Sequence, residues 1–484
     1  MAEGSGFLGR LEDFFTHWVV ESLDAVIFFD AAFWTDDVKL PLVVVWLIIA
    51  ALYFTLRFRF VNFRGFRHAV DCVRGRYTGP DEPGEISHFQ ALSAALSATV
   101  GLGNIAGVAF AVGIGGPGAV FWMVLAGFLG MSTKFAECTL GQKYKVIRSD
   151  GHVSGGPMHY LKDGLAEVGW PRLGSVLAPL FAVMCIGGSL GGGNMYQANQ
   201  AYAQAASVLP ILDNTAGSIL FGGVMALLVG LVIVGGIKRI GEVASTIVPL
   251  MCTVYILCGF AILLTHAEQI PTGLGTIIGE AFSMQAGIGG LVGVLIQGFR
   301  RAAFSNEAGC GSAAIAHAAA RTHEPVREGM VSLLEPFVDT IIVCTMTGLV
   351  IVVTGAWSDP NAGKGIEMTS TAFATVFPWF PVVLSITAAL FAFSTMISWS
   401  YYGEQCWVRL FGVRSILGFK VVFLICTWLG AIFAAEAVVN FGDMMILGMA
   451  FPNLIGVMLL SGKVKADLDT YMRKLNAGEF RRMD

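Results

Sequence analysis

The chain has 484 residues, of which 55% are hydrophobic and only 13% are charged. Apolar runs of about 20 residues recur along its whole length, which is typical of a polytopic membrane protein and excludes a soluble globular domain. The formal net charge of −4 is too small to indicate a nucleic-acid or other strongly charged partner.

The first 38 residues do not resemble a signal peptide, because acidic residues such as Glu3, Glu12 and Asp13 interrupt any basic-then-apolar order. Apolar residues recur there at helical spacing. This pattern indicates either a helix lying in the membrane interface or an amphipathic helix packed on the protein's own surface. We assign 1–38 to an extracytoplasmic interfacial segment.

Eleven membrane-spanning segments are predicted from residue 39 onward. They run approximately over 40–58, 89–114, 118–141, 175–208, 216–237, 243–265, 275–319, 329–354, 379–402, 416–434 and 439–461. The seventh is too long for one straight crossing at about 1.5 Å per residue. We therefore expect an interfacial piece there, followed by an interrupted crossing.

Basic residues are concentrated in alternate loops. The loop after the first span carries six arginines between Arg57 and Arg76, and the segment from 462 onward is also basic. By the positive-inside rule, the N-terminus lies outside and the C-terminus lies in the cytoplasm. The expected location is a bacterial-type cytoplasmic (inner) membrane, with 39–88 forming a first helix and a basic cytoplasmic loop and 462–484 forming a cytoplasmic tail.

Two glycine-rich interruptions organise the remaining ten spans. These ten spans divide into two halves of five helices, 89–265 and 266–461. The halves must have opposite orientations in the membrane because five is an odd number. Gly101-Leu102-Gly103 interrupts the first helix of one half and Gly309-Cys310-Gly311 the first helix of the other. The first could instead be a small-residue packing face. Paired breaks in inverted halves favour the midplane binding site of a transporter, since lipid tolerates unwound backbone only around a buried site.

Such breaks suit a ligand that carries both charges. Half-helix N-termini present free N–H groups to a carboxylate, and released carbonyls suit Na+ or an ammonium group. Polar residues elsewhere in the spans should face the same cavity, including the Asn194 and Gln197 stripe and the Ser394-Thr395 pair. These could instead bond neighbouring helices or their own helix.

Charged residues within the spans have competing interpretations. Lys134 and Glu137 are expected to pair locally, while Glu335 and Asp339 are candidates for ion binding or for a cap or gate contact. His317 is expected to be a packed or interfacial histidine. No catalytic motif such as HExxH, a P-loop or GxSxG occurs, so no enzyme activity is predicted.

Two longer motifs carry a family resemblance. GLGNIAGVA at 101–109 with GGPGAVFWM at 115–123, and SNEAGCGSA at 305–313, resemble the signatures of the alanine/glycine:cation symporter family. The resemblance extends from residue 40 to the end, and Val124 stands where the family often has a second tryptophan. It implies an all-α, leucine-transporter (LeuT) type 5+5 inverted repeat with one extra N-terminal helix.

The same resemblance implies Na+-driven uptake of small neutral amino acids, alanine or glycine, by alternating access. Proton coupling is the nearest alternative, and an amino-acid sensor or a channel is a more distant one. The expected partners are a small neutral amino acid, Na+ as coupling ion and the lipid bilayer, with no nucleic acid and no obligate protein partner.

The GLGN segment is also similar to the unwound segment of the leucine transporter, which implies roles for individual residues. Leu102 and Gly103 would offer N–H groups to the carboxylate. The substrate-binding residues implied by the resemblance are Leu102, Gly103, Phe304, Ser305, Glu307, Thr395 and Trp399. The predicted substrate site also includes Thr99 and the polar-stripe residues Asn194 and Gln197. The implied sodium ligands are the carbonyls of Ser97, Val100 and Phe391 and the hydroxyls of Ser394 and Thr395. A second sodium site would need Asn104 and Ser305 with an asparagine in the eighth span, where we find none.

Overall fold

The structure is a computed structural model that describes residues 14–16, 24, 27–33, 39–77, 79, 82–148, 151–283, 287–480 and 482. The interfacial helix predicted within 1–38 lies mostly outside these residues. The described chain is built from helices and one short two-stranded antiparallel hairpin.

The first half of the chain contains a broken helix followed by four long helical segments. Its elements are α1 (Leu42–Arg57), α2 (Val61–Arg64), α3 (Phe66–Val73), α4 (His88–Thr99), α5 (Val108–Gly115), α6 (Gly118–Lys143), β1 (Val146–Ile147), β2 (Val153–Ser154), α7 (Pro157–His159), α8 (Leu165–Glu167), α9 (Pro171–Leu190), α10 (Tyr196–Val208), α11 (Thr215–Ile233) and α12 (Gly236–Thr265). Wider π-helical turns lie at Gly103–Gly107, Tyr160–Gly164 and Gly191–Met195.

The second half repeats the pattern of a broken first helix. Its elements are α13 (Ile270–Ala281), α14 (Gly287–Asn306), α15 (Ala313–His317), α16 (Pro325–Ser332), α17 (Leu334–Pro336), α18 (Thr345–Val353), α19 (Ile366–Ala374), α20 (Phe380–Phe411), α21 (Ile416–Gly430), α22 (Ala435–Gly448) and α23 (Ala450–Asn476). A π-helical segment, Phe337–Cys344, joins α17 to α18, and single 3-10 turns lie at Pro210–Leu212, Ala267–Gln269, Ala356–Ser358 and Val413–Ser415.

These helices make the chain a multi-pass membrane protein. Within the described residues, eight helices are long and apolar enough to cross a membrane, and the bent pair α4 and α5 brings the number to nine. A count of eleven needs two more spans. One would be α1, which has 16 residues, and the other would be the interrupted pair of α14 and α15. The predicted count of eleven therefore stays a prediction.

The seventh predicted segment, 275–319, is divided as expected. The short helix α13 precedes α14, and the chain is non-helical between α14 and α15. The predicted tail at 462–484 is largely helical, since α23 continues to Asn476, and its cytoplasmic location stays a prediction.

The loops assigned to one side of the membrane meet at one end of the molecule. Lys143 contacts Asp467, with Nζ 2.5 Å from the carboxylate, and Lys474 lies 3.1 Å from Glu324. The chain before α4 pairs with the chain after α15 through an Ile86–Ala320 bridge. We call this the basic end of the molecule.

Candidate functional site

The first break follows directly from the local sequence. A capping box fixes the start of α4, since Ser87 Oγ accepts from the Gln90 N–H and Gln90 Oε1 accepts from the Ser87 N–H. The helix ends at Thr99, where Val100 leaves helical geometry with ψ 84°. The axis then bends by 52° before α5. The interruption therefore lies where the sequence predicted it.

Glycine is required at the first break because side chains from α10 and α20 approach the backbone of Gly101 closely. A Cβ at Gly101 would lie 2.4 Å from Thr395 Oγ1 and 3.1 Å from Gln197 Oε1. The Gly101 N–H donates to Asn104 Oδ1 at 2.8 Å, and the Leu102 N–H donates to Gln197 Oε1 at 3.0 Å. The freed N–H groups of Gly101 and Leu102 are thus satisfied by side-chain oxygens inside the protein.

The second break is held in left-handed backbone geometry. Glu307 has φ 55°, Gly309 has φ 98° and Gly311 has φ 82°. A glutamate in this region costs about 1 kcal/mol or more, so the surroundings must hold it there. Its carboxylate accepts a hydrogen bond from Trp399 Nε1 at 3.1 Å and another from the hydroxyl of Ser312.

The two breaks face each other in the middle of the bundle. A Cβ at Gly103 would lie 3.5 Å from Ser305 Cα and from the ring of Phe304. Phe304 packs edge-on against Tyr196 with centroids 5.1 Å apart, and the Tyr196 hydroxyl donates to Leu102 O at 3.4 Å. Aromatic rings therefore close one side of the space between the breaks.

The residues of the predicted sodium site lie where α4 meets α20. Thr395 Oγ1 donates to Ser97 O at 3.0 Å, and Ser97 Oγ donates to Ser394 O at 2.6 Å. Ser394 Oγ donates to Phe391 O at 3.0 Å. All four residues, and Val100 at the end of α4, are buried. The structure thus brings the five predicted residues to one buried interface rich in carbonyl and hydroxyl oxygens.

The eighth predicted span supplies an aspartate, not an asparagine, beside Asn104 and Ser305. Asp339, in the π-helical segment after α17, accepts from Asn104 Nδ2 at 2.6 Å and from Ser305 Oγ at 3.0 Å. Thr340 Oγ1 donates to the same carboxylate at 2.7 Å. The eighth predicted span therefore does supply a partner that joins the two breaks. Its only signal in the sequence was that it is an acidic residue inside an apolar span.

Two predicted substrate residues do not point between the breaks. The Asn194 side chain forms hydrogen bonds with α21. Its Nδ2 donates to Phe423 O at 2.7 Å, and its Oδ1 accepts from Thr427 Oγ1 at 2.8 Å. Thr99 donates back to Ala95 O of its own helix at 3.2 Å. Asn194 of the predicted polar stripe thus bonds to a neighbouring helix, whereas Gln197 of the same stripe reaches the first break.

Trp399 is held in a fixed orientation. It is 1% exposed, and its ring packs so tightly against α9–α10 that a Cβ at Gly193 would lie 2.2 Å from it. Because its Nε1 donates to Glu307, the ring links α20 to the second break. A rigid indole at this position limits the size of any side chain that could be accommodated beside it.

The predicted local pair of Lys134 with Glu137 is wrong. Lys134 Nζ lies 2.8 Å from Glu335 Oε1, and Glu137 Oε1 accepts from Asn453 Nδ2 at 2.6 Å. A buried ammonium needs a carboxylate with good geometry, and one on another helix provides it. Spacing along α6 could not show this choice.

Comparisons with known proteins agree on one family. A family model described as the sodium:alanine symporter family matches residues 23–484. The chain is 40% identical over 434 residues to the sodium/alanine symporter AgcS of Methanococcus maripaludis, covering 89% of this chain and 94% of that one. It is 32% identical over 466 residues to the amino-acid carrier protein AlsT of Bacillus subtilis, covering 92% and 94%.

A solved structure is similar in fold. The crystal structure of MhsT in complex with L-phenylalanine matches with a TM-score of 0.55 and 17% identity, covering 78% of this chain and 88% of that chain. MhsT has the LeuT fold, so the predicted fold class is confirmed.

Proposed function

The chain belongs to the sodium:alanine symporter family, and we propose that it takes up small neutral amino acids, alanine or glycine, by symport with Na+. In this proposal the protein lies in a cytoplasmic membrane with its N-terminus outside. The basic end, with the C-terminal segment, faces the cytoplasm.

The facing breaks are the observation that carries this proposal. An amino acid has a carboxylate and an ammonium group a few ångströms apart, and two unwound segments that face each other offer N–H groups and carbonyls to them. Leu102 and Gly103 would bind the carboxylate, and carbonyls near Phe304, Ser305 and Glu307 would bind the ammonium group. Because backbone groups provide most of these contacts, small residues are needed in both unwound segments.

Gln197 has a specific place in this scheme. Its Oε1 accepts the Leu102 N–H, and its Nε2 donates to Gly192 O at 2.9 Å. The carbonyl oxygen thus stands where a carboxylate oxygen of the substrate would bind. We infer that the substrate takes over the Leu102 N–H and that the freed Gln197 amide then turns toward it.

The proposed substrates are small because the walls are aromatic and fixed. Phe304 and Tyr196 close one side, and Trp399 is held by Glu307 on another. A methyl group or a hydrogen is compatible with such walls, whereas a long side chain would have to displace a packed ring.

Na+ would bind at the interface of α4 and α20. The donors there are carbonyls of Ser97, Val100 and Phe391 and hydroxyls of Ser394 and Thr395, all oxygen ligands of the kind that suit a hard monovalent cation. An ion at this place joins the broken helix to α20. Coupling then requires only that ion and substrate favour the same conformation.

Proton coupling is the second candidate, and Asp339 is the observation that favours it. Its carboxylate is buried, and the side chains that donate to it, Asn104, Ser305 and Thr340, are all neutral. A buried acid inside a membrane span is a functional candidate by default, either as a cation ligand or as a proton carrier.

Uptake of labelled alanine into proteoliposomes separates the candidates. An imposed inward Na+ gradient should drive accumulation above equilibrium, and collapse of that gradient with an ionophore should abolish it. A pH gradient without Na+ should drive none. Accumulation by the pH gradient alone would overturn the sodium proposal and establish the proton alternative.

A further inference from the structure

A chain of titratable side chains lies fully buried between the second break and the basic end. Lys134 Nζ lies 2.8 Å from Glu335 Oε1. His317 Nδ1 lies 2.6 Å from Glu328 Oε1, and its Nε2 lies 3.6 Å from Glu335 Oε2. The second Glu328 oxygen contacts His88 Nδ1. All five residues are at most 2% exposed, and we call them the buried array.

The buried array joins helices that also form the proposed binding site. His88 is the first residue of α4, the half-helix that ends at the first break, and His317 is the last residue of α15, the half-helix that follows the second break. Backbone bonds reinforce the connection, since the Glu85 N–H donates to Ala319 O at 2.8 Å and the Arg321 N–H donates to Ile86 O at 2.9 Å. The array thus fixes how both half-helices sit at the basic end.

The geometry favours a proton on His317, because one ring nitrogen is hydrogen-bonded to a carboxylate and the other lies in ionic contact with a second one. Both of its ring nitrogens face carboxylate oxygens, at 2.6 Å and 3.6 Å. A neutral imidazole has only one N–H, so its other nitrogen would turn a lone pair toward a carboxylate. The imidazolium suits both neighbours better than the neutral ring does.

Charge balance leads to the same state. An imidazolium at His317 together with the Lys134 ammonium offsets the two carboxylates of Glu328 and Glu335. Among the described residues, His88 contacts a carboxylate only through Nδ1, whereas both ring nitrogens of His317 face carboxylates. A neutral His88 is therefore sufficient, and the array is balanced by one proton on His317.

Other titratable groups face the array from every neighbouring element. They are Cys72 on α3, Glu137 and Cys138 on α6, Lys145 just after α6, Glu307 and Cys310 in the second break, Asp339 after α17, and Tyr402 on α20. Lys145 is anchored to the same backbone connection, since it donates to Pro83 O at 3.0 Å and to Ala320 O at 3.1 Å.

We propose that His317 is a proton-binding site and that its bound proton keeps the basic end of the transporter closed. Loss of the proton leaves two buried carboxylates with one ammonium, and an unpaired buried charge is strongly disfavoured unless water reaches it. Separation of the half-helices from α16 and α17 admits that water. Deprotonation therefore favours the conformation in which the binding site opens toward the basic end.

This inference rests on the proposed function, because it concerns release of the transported solute. The experiment measures initial rates of Na+-driven alanine uptake into proteoliposomes, with equal pH on both sides, between about pH 6 and about pH 10. In the wild type the rate should rise at least about tenfold as the His317 proton is lost. In His317→Gln the rate should not follow this profile, because glutamine does not titrate.

The matched control is His323→Gln, which replaces an exposed histidine six positions along the chain and should keep the wild-type profile. If His317→Gln retains the wild-type profile, the inference is wrong even though Na+-driven uptake is intact. Absence of Na+-driven uptake by the wild type at every pH would instead contradict the proposed function.

A second variant keeps the test valid if His317→Gln does not fold. Glu328→Gln removes one of the two carboxylates that hold the proton, so His317 should lose it more readily. The midpoint of the rate profile should then move by at least about one pH unit toward acid. A midpoint that is unchanged, or that moves toward alkaline pH, would overturn the inference.

Discussion

Replacement of Ser394 by alanine should weaken the use of sodium and leave the fold intact. The Ser394 hydroxyl is buried and donates to Phe391 O at 3.0 Å within its own helix. A hydroxyl that donates one bond still has oxygen lone pairs for a cation. Ser394→Ala removes that oxygen and also the donor to Phe391 O, a carbonyl that we assign to the same ion.

The size of the effect follows from the loss of one ligand among five proposed oxygens. We take this loss as comparable to loss of a hydrogen bond to a charged group, about 1.5–3 kcal/mol. Since about 1.4 kcal/mol corresponds to a tenfold change in affinity, the sodium concentration for half-maximal uptake should rise about ten- to 100-fold. The maximal rate at saturating sodium should change much less.

The assay is initial alanine uptake at a series of external sodium concentrations. Ser400→Ala is the matched control, because Ser400 is buried on the same helix and its hydroxyl donates in the same way to Ile397 O at 2.7 Å. The control should keep the wild-type sodium dependence. Ser394→Ala with an unchanged sodium requirement would refute the assignment of this hydroxyl to the ion.

Three further predictions test other parts of the proposal. Gly101→Ala should abolish uptake, since its Cβ would lie 2.4 Å from Thr395 Oγ1. Gly223→Ala, whose Cβ would meet no neighbouring group within 4 Å, should transport normally. Equal activity of the two variants would contradict the close approach at the first break. Asp339→Asn should reduce uptake at least about tenfold, because an amide cannot replace a buried carboxylate as a cation ligand or proton carrier. The purified variant should keep the wild-type elution volume in size-exclusion chromatography, and near-normal uptake would exclude Asp339 from coupling. Glutamine should not accumulate as alanine does, because Trp399 is rigidly packed, and equal accumulation of the two labelled amino acids would show that the pocket is larger than we propose.

The positions of both breaks could be predicted because they depend on local backbone properties. Glycine costs about 1 kcal/mol in a helix, and it alone adopts positive φ freely, as at Gly309 and Gly311. The clustering of such residues inside an apolar run is visible without any knowledge of the neighbours. The inverted repeat then predicted that the two breaks meet, as Gly103 and Phe304 do.

The partners of polar side chains could not be predicted in the same way. Asn104 bonds to a residue 235 positions away, and Lys134 pairs with a carboxylate 201 positions away. Spacing along one helix reports only the neighbours on that helix, so Glu137 looked like the natural partner of Lys134. A buried charge instead takes the partner that satisfies it best, from whichever helix packs against it.

His317 shows why this limit matters for function. In the sequence it is one histidine at the end of a predicted span, and packing explains it adequately. In the structure it lies between two carboxylates that come from the other side of a loop, and it shares one of them with His88 at the start of α4. The half-helices whose ends form the proposed binding site are thus connected at their other ends by ionisable groups. A change of charge there would act on both breaks at once, although no member of the buried array is among the residues assigned to sodium.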